Sequence, residues 1–571
     1  MNDIAKTKLP QDLHLLQLPG FADPDELSRP NRVCICISDL HFTDGTVGKQ
    51  SADEVIWEDV FESIMDICVN EEAEELHLIL AGDVVDMIRS SQWEDARIYP
   101  WDREREEYHS SPGFKKKYDD VLRKIMQGIV DLHAPADEKS GFFSLLKRLP
   151  RALEQYDYKN NFTGTHKQSR IKRVSTLALL GNHDKEVLVC SDVLKMFNER
   201  CLGHPAFQDE YCRWIGRMYF DDEKRFLGAG SAQAPWTPFY WADRGFRLFV
   251  THGHWRDADN CRSIPGGPHD PSWNTRDGWN LKRWQNMGFS PFTRPCWGDS
   301  VVAALLSAFM IRSKRRLETL QQQLKAEGKP ESEIEAIFVT IKNVLDEMDL
   351  YRPNASAIMR LQILTRELRK MGGVAESARR EIEEELFNSL RAWLNMEFTE
   401  SSAPPSVRWK VWLGRAFIYF LNLLNRWTAT ERIALGFAYF VVSMFESSEQ
   451  DQRKEPTAPE MHAFTAFLDE YRQYGFRIHS EGHTHIPLQA DLYFKQPDTP
   501  ADRQNYTYVN FGTWRNQVKP TQSSKYRRFS VGRALVILDK IKPGTREREF
   551  GYYVQDLTNW SDKFDGLSRK A

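Results

Sequence analysis

Arg32-Val33-Cys34-Ile35-Cys36-Ile37-Ser38-Asp39-Leu40-His41 decides how this chain is read. Its apolar, β-branched first half predicts a buried strand, and an Asp-Leu-His step follows where that strand ends. The same pairing recurs four times. Leu76–Ala81 leads into Gly82-Asp83-Val84-Val85-Asp86, and Val174–Leu180 into Gly181-Asn182-His183-Asp184. Arg247–Thr251 leads into His252-Gly253-His254, and Arg477–Ser480 into Gly482-His483-Thr484-His485. Residues 53–69, with Val55, Ile56, Val60, Ile64 and Ile67 on one face, predict a helix between the first two strands. Strand, helix and strand make a βαβ unit, so an α/β fold is expected. In such sheets, ligand sites gather at strand ends.

The five blocks supply carboxylate, amide and imidazole groups, the usual ligands of a two-metal hydrolytic site. One block alone carries little, since Gly-Asn and Gly-Asp are ordinary turn dipeptides. The six block histidines stand where an apolar run meets glycine or another ligand-type residue. His14, His77, His109, His133, His166, His204, His269, His462 and His479 lack that context and read as ordinary core or surface histidines.

The 571 residues are 41% hydrophobic, enough for a large core and more than one structural unit. The net charge of −4 gives no global basic field, so nucleic acid is the less expected partner. Met1–Lys6 lacks the charged-then-apolar pattern of a leader, and no stretch nears the ~18 apolar residues of a membrane span. The eight cysteines form no C-x-x-C pair, and Cys34 and Cys36 read as small hydrophobes on one strand face. A cytoplasmic location is therefore expected.

Residues 1–29 read as an irregular N-terminal segment. Further helices are expected at 118–133 and 141–156. Residues 256–298, rich in Trp, Pro, Gly and Asn, read as loop. From Asp299, taken as an N-cap, to about 445 the pattern is helical, with Pro404-Pro405 dividing it and a polar exit near 446–457. The organisation expected is a discontinuous catalytic domain, 30–298 and 455–571, interrupted by a helical insertion, 299–450.

The five blocks resemble the calcineurin-like metallophosphoesterase superfamily over roughly residues 30–255 and 475–540. That resemblance implies a four-layer α-β-β-α sandwich with two divalent metals at the strand ends, Mn foremost and Fe or Zn as alternatives. It implies that Asp39, His41 and His485 hold one metal, Asn182, His252 and His483 the other, and that Asp83 bridges them. The implied reaction is hydrolysis of a phosphoester or pyrophosphate by a metal-activated water. His183, next to Asn182, would steady developing charge or protonate the leaving oxygen, oriented by Asp184 or Asp86.

The pattern also departs from the family. Met87 stands where members often carry Arg, leaving Arg89 as the nearest candidate for substrate contact. His254 stands where some carry Asp; it and Arg256 are taken as substrate contacts rather than ligands. The stretches Gly482–Pro487 and Tyr508–Trp514 are similar to the branch containing UDP-2,3-diacylglucosamine hydrolases. The Gly-Asn-His block departs from that branch's Gly-Asn-Arg, and its substrate is not carried over.

The aromatic face of residues 409–427, mixed with Arg408, Lys410, Arg415 and Arg426, is expected to be buried against neighbouring helices or a second subunit. Peripheral membrane contact and a lid over an apolar substrate are its alternatives. Arg312–Arg316 reads as a solvated helix face. A nuclease on the same metals and a non-catalytic scaffold are the competing function classes.

Overall fold

The structure is a computed structural model and describes residues 30–48, 55–135, 140–159, 166–203, 240–243, 245–262, 293–351, 355–424, 476–492, 506–520, 526–529 and 532–557. The N-terminal segment, the polar exit and most of the Trp- and Pro-rich loop lie outside these residues.

The chain is mixed α/β, with two five-stranded sheets. The first contains β1 (Arg32–Ile37), β2 (Glu75–Leu80), β3 (Arg173–Ala178), β9 (Arg533–Ile541) and β10 (Arg548–Asp556) in the order β10-β9-β1-β2-β3. Its β1, β2 and β3 are parallel, and β9 and β10 add antiparallel edges. The second contains β4 (Tyr240–Asp243), β5 (Leu248–Thr251), β6 (Ile478–Glu481), β7 (Leu488–Leu492) and β8 (Tyr506–Asn510) in the order β4-β5-β6-β8-β7. Here β5, β6 and β8 run parallel. Side chains from both sheets share one apolar core, as expected for strands read as near-continuous hydrophobic runs.

Helix α1 (Val55–Asn70) buries Ile56, Val60, Ile64 and Ile67 against this core. Helix α2 spans Pro112–His133, six residues more than the pattern predicts at its start. The cause is a cap: Ser111 accepts from the Phe114 amide, and Pro112 sits in the first turn, where its missing N–H costs nothing. Helix α3 covers Phe142–Glu154. Cys34 and Cys36 are buried on β1 with sulfurs 3.7 Å apart.

The helical block comprises α4 (Ala308–Ala326), α5 (Glu331–Glu347), α6 (Ala355–Met371), α7 (Gly373–Asn395) and α8 (Pro405–Leu424), around a second apolar core. Three expectations need correction. Asp299 is not an N-cap: it sits in a short helix, Trp297–Ser300, where its carboxylate accepts from the Cys296 amide and the Lys185 ammonium. Arg312–Arg316 is not a free solvated face. Arg312 pairs with Glu94 and Arg315 with Asp95, which join the block to the sheet-bearing unit, because these charges are complementary across the seam. On α8 the helical period turns Val407, Val411 and Ile418 inward, leaving Trp409 54%, Trp412 65% and Tyr419 68% exposed, so the described helices of this chain do not cover that face as the first of its readings expected. Residues 425–427 of that face lie outside the described residues.

Candidate metal centre

Every block falls just past the C-terminal end of a parallel strand: Asp39 after β1, Asp83 after β2, Asn182 after β3, His252 after β5 and His483 after β6. The two sheets bring these ends together. His483 donates its amide to the Asp39 carboxylate, 444 positions away.

The backbone turns sharply there. Five of the eight described non-glycine residues with positive φ are Asp39 (56°), His41 (51°), Asp83 (51°), His483 (67°) and His485 (58°). Such conformations are costly for non-glycine residues and persist where surrounding structure imposes them. The adjacent glycines show the crowding. A Cβ on Gly181 would stand 2.2 Å from an Asp83 oxygen, one on Gly482 2.2 Å from an Asp39 oxygen, and one on Gly82 2.5 Å from His252 Nδ1.

Asp39, His41, Asp83 and His485 offer donor atoms that all lie within 4.8 Å of one another. His41 Nε2 is 3.0 Å from His485 Nε2 and 3.6 Å from Asp83 Oδ2, and His485 Nε2 is 3.1 Å from Asp39 Oδ1. On the other side of Asp83, Asn182 Oδ1 lies 3.1 Å from His252 Nε2 and 3.0 Å from His483 Nδ1. His252 Nε2 is 3.3 Å from Asp83 Oδ2. Asp83 Oδ2 thus faces a histidine from each group.

The chemistry of this donor set fits cations. His252 Nδ1 faces the Ala81 carbonyl at 2.9 Å, an acceptor only, so Nδ1 carries the hydrogen. A neutral ring then aims the Nε2 lone pair at two oxygens that are themselves acceptors. Only a cation or a proton relieves that contact. Burial works against a charged ring, yet Asp83, Asp39 and Asp184 outweigh it and push His252 up to about 10. His41 goes the other way: burial lowers it to about 3, leaving a neutral ring fit to ligate. A buried cluster of aspartate and histidine that can hold metal is therefore present.

Around the donors stand the groups that orient them. Asp86 is a hub: Oδ2 lies 3.3 Å from His41 Nδ1 and 3.0 Å from Arg89 Nη1, and Oδ1 lies 3.0 Å from His183 Nδ1. Burial would raise its pKa, but His183 and Arg89 hold it well below the usual carboxylate range. Asp184 accepts the Gly181 and Val84 amides and so braces two of the loops that carry candidate donors. Burial and Asp83 push it up to about 7. Arg89 is buried against Asp86 and Asp349. Arg256 pairs with Glu481 and reaches the Tyr508 hydroxyl. His254 is fully buried, its ring centroid 5.5 Å from that of His252.

Sequence reasoning missed Asp257, Asn260 and Glu481. Asp257 Oδ2 is 2.9 Å from His483 Nε2, which leaves Nδ1 facing Asn182, and Asn260 accepts from the Asn182 amide. The only available signal was proximity: both follow His252 by fewer than nine positions, in a stretch read as plain loop. No known protein family, curated protein or solved structure matches this chain.

Proposed function

We propose that this chain is a two-metal hydrolase of phosphoester or pyrophosphate bonds, built on a four-layer sandwich of the calcineurin-like kind. The observation that carries the reading is Asp83, whose Oδ2 lies 3.6 Å from His41 Nε2 and 3.3 Å from His252 Nε2, between two donor groups. Asp39, His41 and His485 would hold one divalent ion and Asn182, His252 and His483 the other, with Asp83 shared. Imidazole, carboxylate and amide donors suit Mn first, with Fe and Zn alternatives. Bound there, the ions would screen phosphoryl charge and supply an activated water.

The protein's own residues do the rest. Asp86 fixes the His41 ring from behind, so that its Nε2 faces the other donors. Asp257 does the same for His483. The Asp86 carboxylate beside His183 Nδ1 orients that ring, whose protonated form can donate to a phosphoryl or leaving-group oxygen.

The test is metal analysis and turnover on full-length protein supplied with Mn²⁺. The reading expects about two ions per chain and hydrolysis of nitrophenyl phosphate or its diester, both lost in Asp83→Ala. Absence of bound metal, or turnover that survives Asp83→Ala with metal intact, would end it.

A second reading for the substrate, a lipid-borne phosphate at a membrane surface, is favoured by the exposed Trp409, Trp412 and Tyr419 beside Arg408 on α8. No described helix is long and apolar enough to cross a membrane. Sedimentation with anionic liposomes, lost in Trp412→Glu at unchanged melting temperature, would support it; wild-type protein remaining in the supernatant would remove it.

A further inference from the structure

We infer that Asp349, contributed by the helical block, is a positioning residue for the Asp86–His183 pair and acts through Arg89. The role given to His183 rests on the phosphoesterase reading; the ion chain itself does not.

Four side chains of alternating charge are paired in series. Asp86 Oδ2 is 3.0 Å from Arg89 Nη1, Arg89 Nε is 3.1 Å from Asp349 Oδ2, and Asp349 Oδ2 is 2.7 Å from Arg515 Nη2. All four are buried, at 0%, 4%, 5% and 1% exposure. Arg515 also donates to the Asp349 carbonyl. The far end is pinned by backbone, because Tyr351 bridges in parallel to Val518. The near end is pinned by packing: Ile88, next to Arg89, belongs to the apolar core of the helical block. The block therefore reaches the second ligand loop at Ile88 and Arg89, two and three residues past Asp86.

The consequence lies in how one carboxylate is shared. Asp86 serves His183 and the Ile88 and Arg89 backbone amides through Oδ1, and His41 and the Arg89 guanidinium through Oδ2. Asp349 holds Nε of the Arg89 guanidinium while Nη1 turns to Asp86. Neutralising Asp349 draws the buried guanidinium further onto Asp86, where a planar fork meets both carboxylate oxygens. It then competes with His183 for Oδ1, and the ring loses its fixed direction.

The test uses full-length, zinc-loaded protein carrying Asp349→Asn, with metal content and melting temperature measured alongside. Turnover should fall roughly 10–100-fold, the usual loss on removing an outer partner of a site residue, with KM little changed and both metals retained. In a His183→Ala background the substitution should cost nothing more. A readout independent of turnover is the downfield proton resonance of the His183 Nδ1–H, assigned by its absence in His183→Ala, which should shift in Asp349→Asn. If wild type hydrolyses nothing, the phosphoesterase reading fails while the resonance still decides the positioning role. Should Asp349→Asn not fold, Arg89→Lys, which keeps the charge but cannot span both carboxylates, should give the same losses. An unmoved resonance with wild-type turnover, or a loss that multiplies with that of His183→Ala, would overturn the inference.

Discussion

Adding a single methyl group at Gly181 tests whether the donor geometry is as rigid as the backbone implies. A Cβ built there lies 2.2 Å from Asp83 Oδ1, 2.4 Å from the Asp83 amide nitrogen and 2.9 Å from its Cγ. Ordinary contact begins near ~3.5 Å, so the carboxylate must retreat by roughly 1 Å. A flexible side chain could absorb that. Asp83 cannot, because its own backbone nitrogen is among the blocked atoms and its φ is already 51°. Overpacking of this kind costs about 1–3 kcal/mol. A misplacement of about 1 Å at a reacting centre costs on the order of 10²-fold in rate. Gly181→Ala should therefore fold with a lowered melting temperature, bind less metal and lose about 100-fold or more in turnover. Gly113→Ala is the control, since a Cβ there meets nothing closer than 3.9 Å. The assays are elemental analysis of dialysed protein, nitrophenyl phosphate turnover with added Mn²⁺, and thermal melting. A Gly181→Ala protein with full metal content and wild-type turnover would refute the claim that Asp83 is held rigidly between the two donor groups.

Further outcomes are expected. His183→Ala should keep both metals and lose roughly 10²–10⁴-fold on substrates with poor leaving groups; the loss should shrink with nitrophenolate, and equal losses would argue against proton donation. Asp257→Asn should weaken metal retention roughly 10–100-fold by freeing the His483 ring, measured by chelator competition. His133 supplies a pH test away from the donors. Burial lowers its pKa to about 4 in the folded chain, although its ring faces the Thr43 carbonyl at 3.0 Å. Between its ordinary value near 6.5 and about 4 the unfolded chain binds the extra proton, so this group's share of stability is lost as pH falls through that window. His133→Gln should lose less stability than wild type across it in urea titrations, and parallel losses would discount the effect.

Much of the site was legible because its chemistry is local. Each donor sits within four residues of a strand whose apolar run is visible without any partner, so the five blocks and their order could be read directly. Burial periodicity likewise exposed α1 and the separate character of the helical block. What stayed hidden depends on pairing across distance. Asp257 and Asn260 look like turn residues until His483 and Asn182 arrive beside them. Asp349 reads as one more acid at a helix end, and nothing in its neighbourhood along the chain announces Arg89 or Arg515. The face of α8 was misjudged because tryptophan count outweighed position: Trp409 and Trp412 fall on the side of the helical wheel opposite the inward Val407 and Val411, away from the described helices.

The central strand of the first sheet also dictates the order in which the protein can assemble. On one side β1 pairs with β2, made soon after it; on the other it pairs with β9, and Arg32 reaches Asp539 across 507 positions. At typical synthesis rates of 5–20 residues per second, β1 waits roughly 25–100 s for that neighbour. During the wait one edge of a strand made of valine, isoleucine and cysteine lies open, the kind of edge that recruits stray strands. The helical block, whose contacts are mostly local, emerges in the interval and can fold on its own schedule. Nascent chains arrested before Arg533 should accordingly carry a protease-resistant helical block and a protease-sensitive β1.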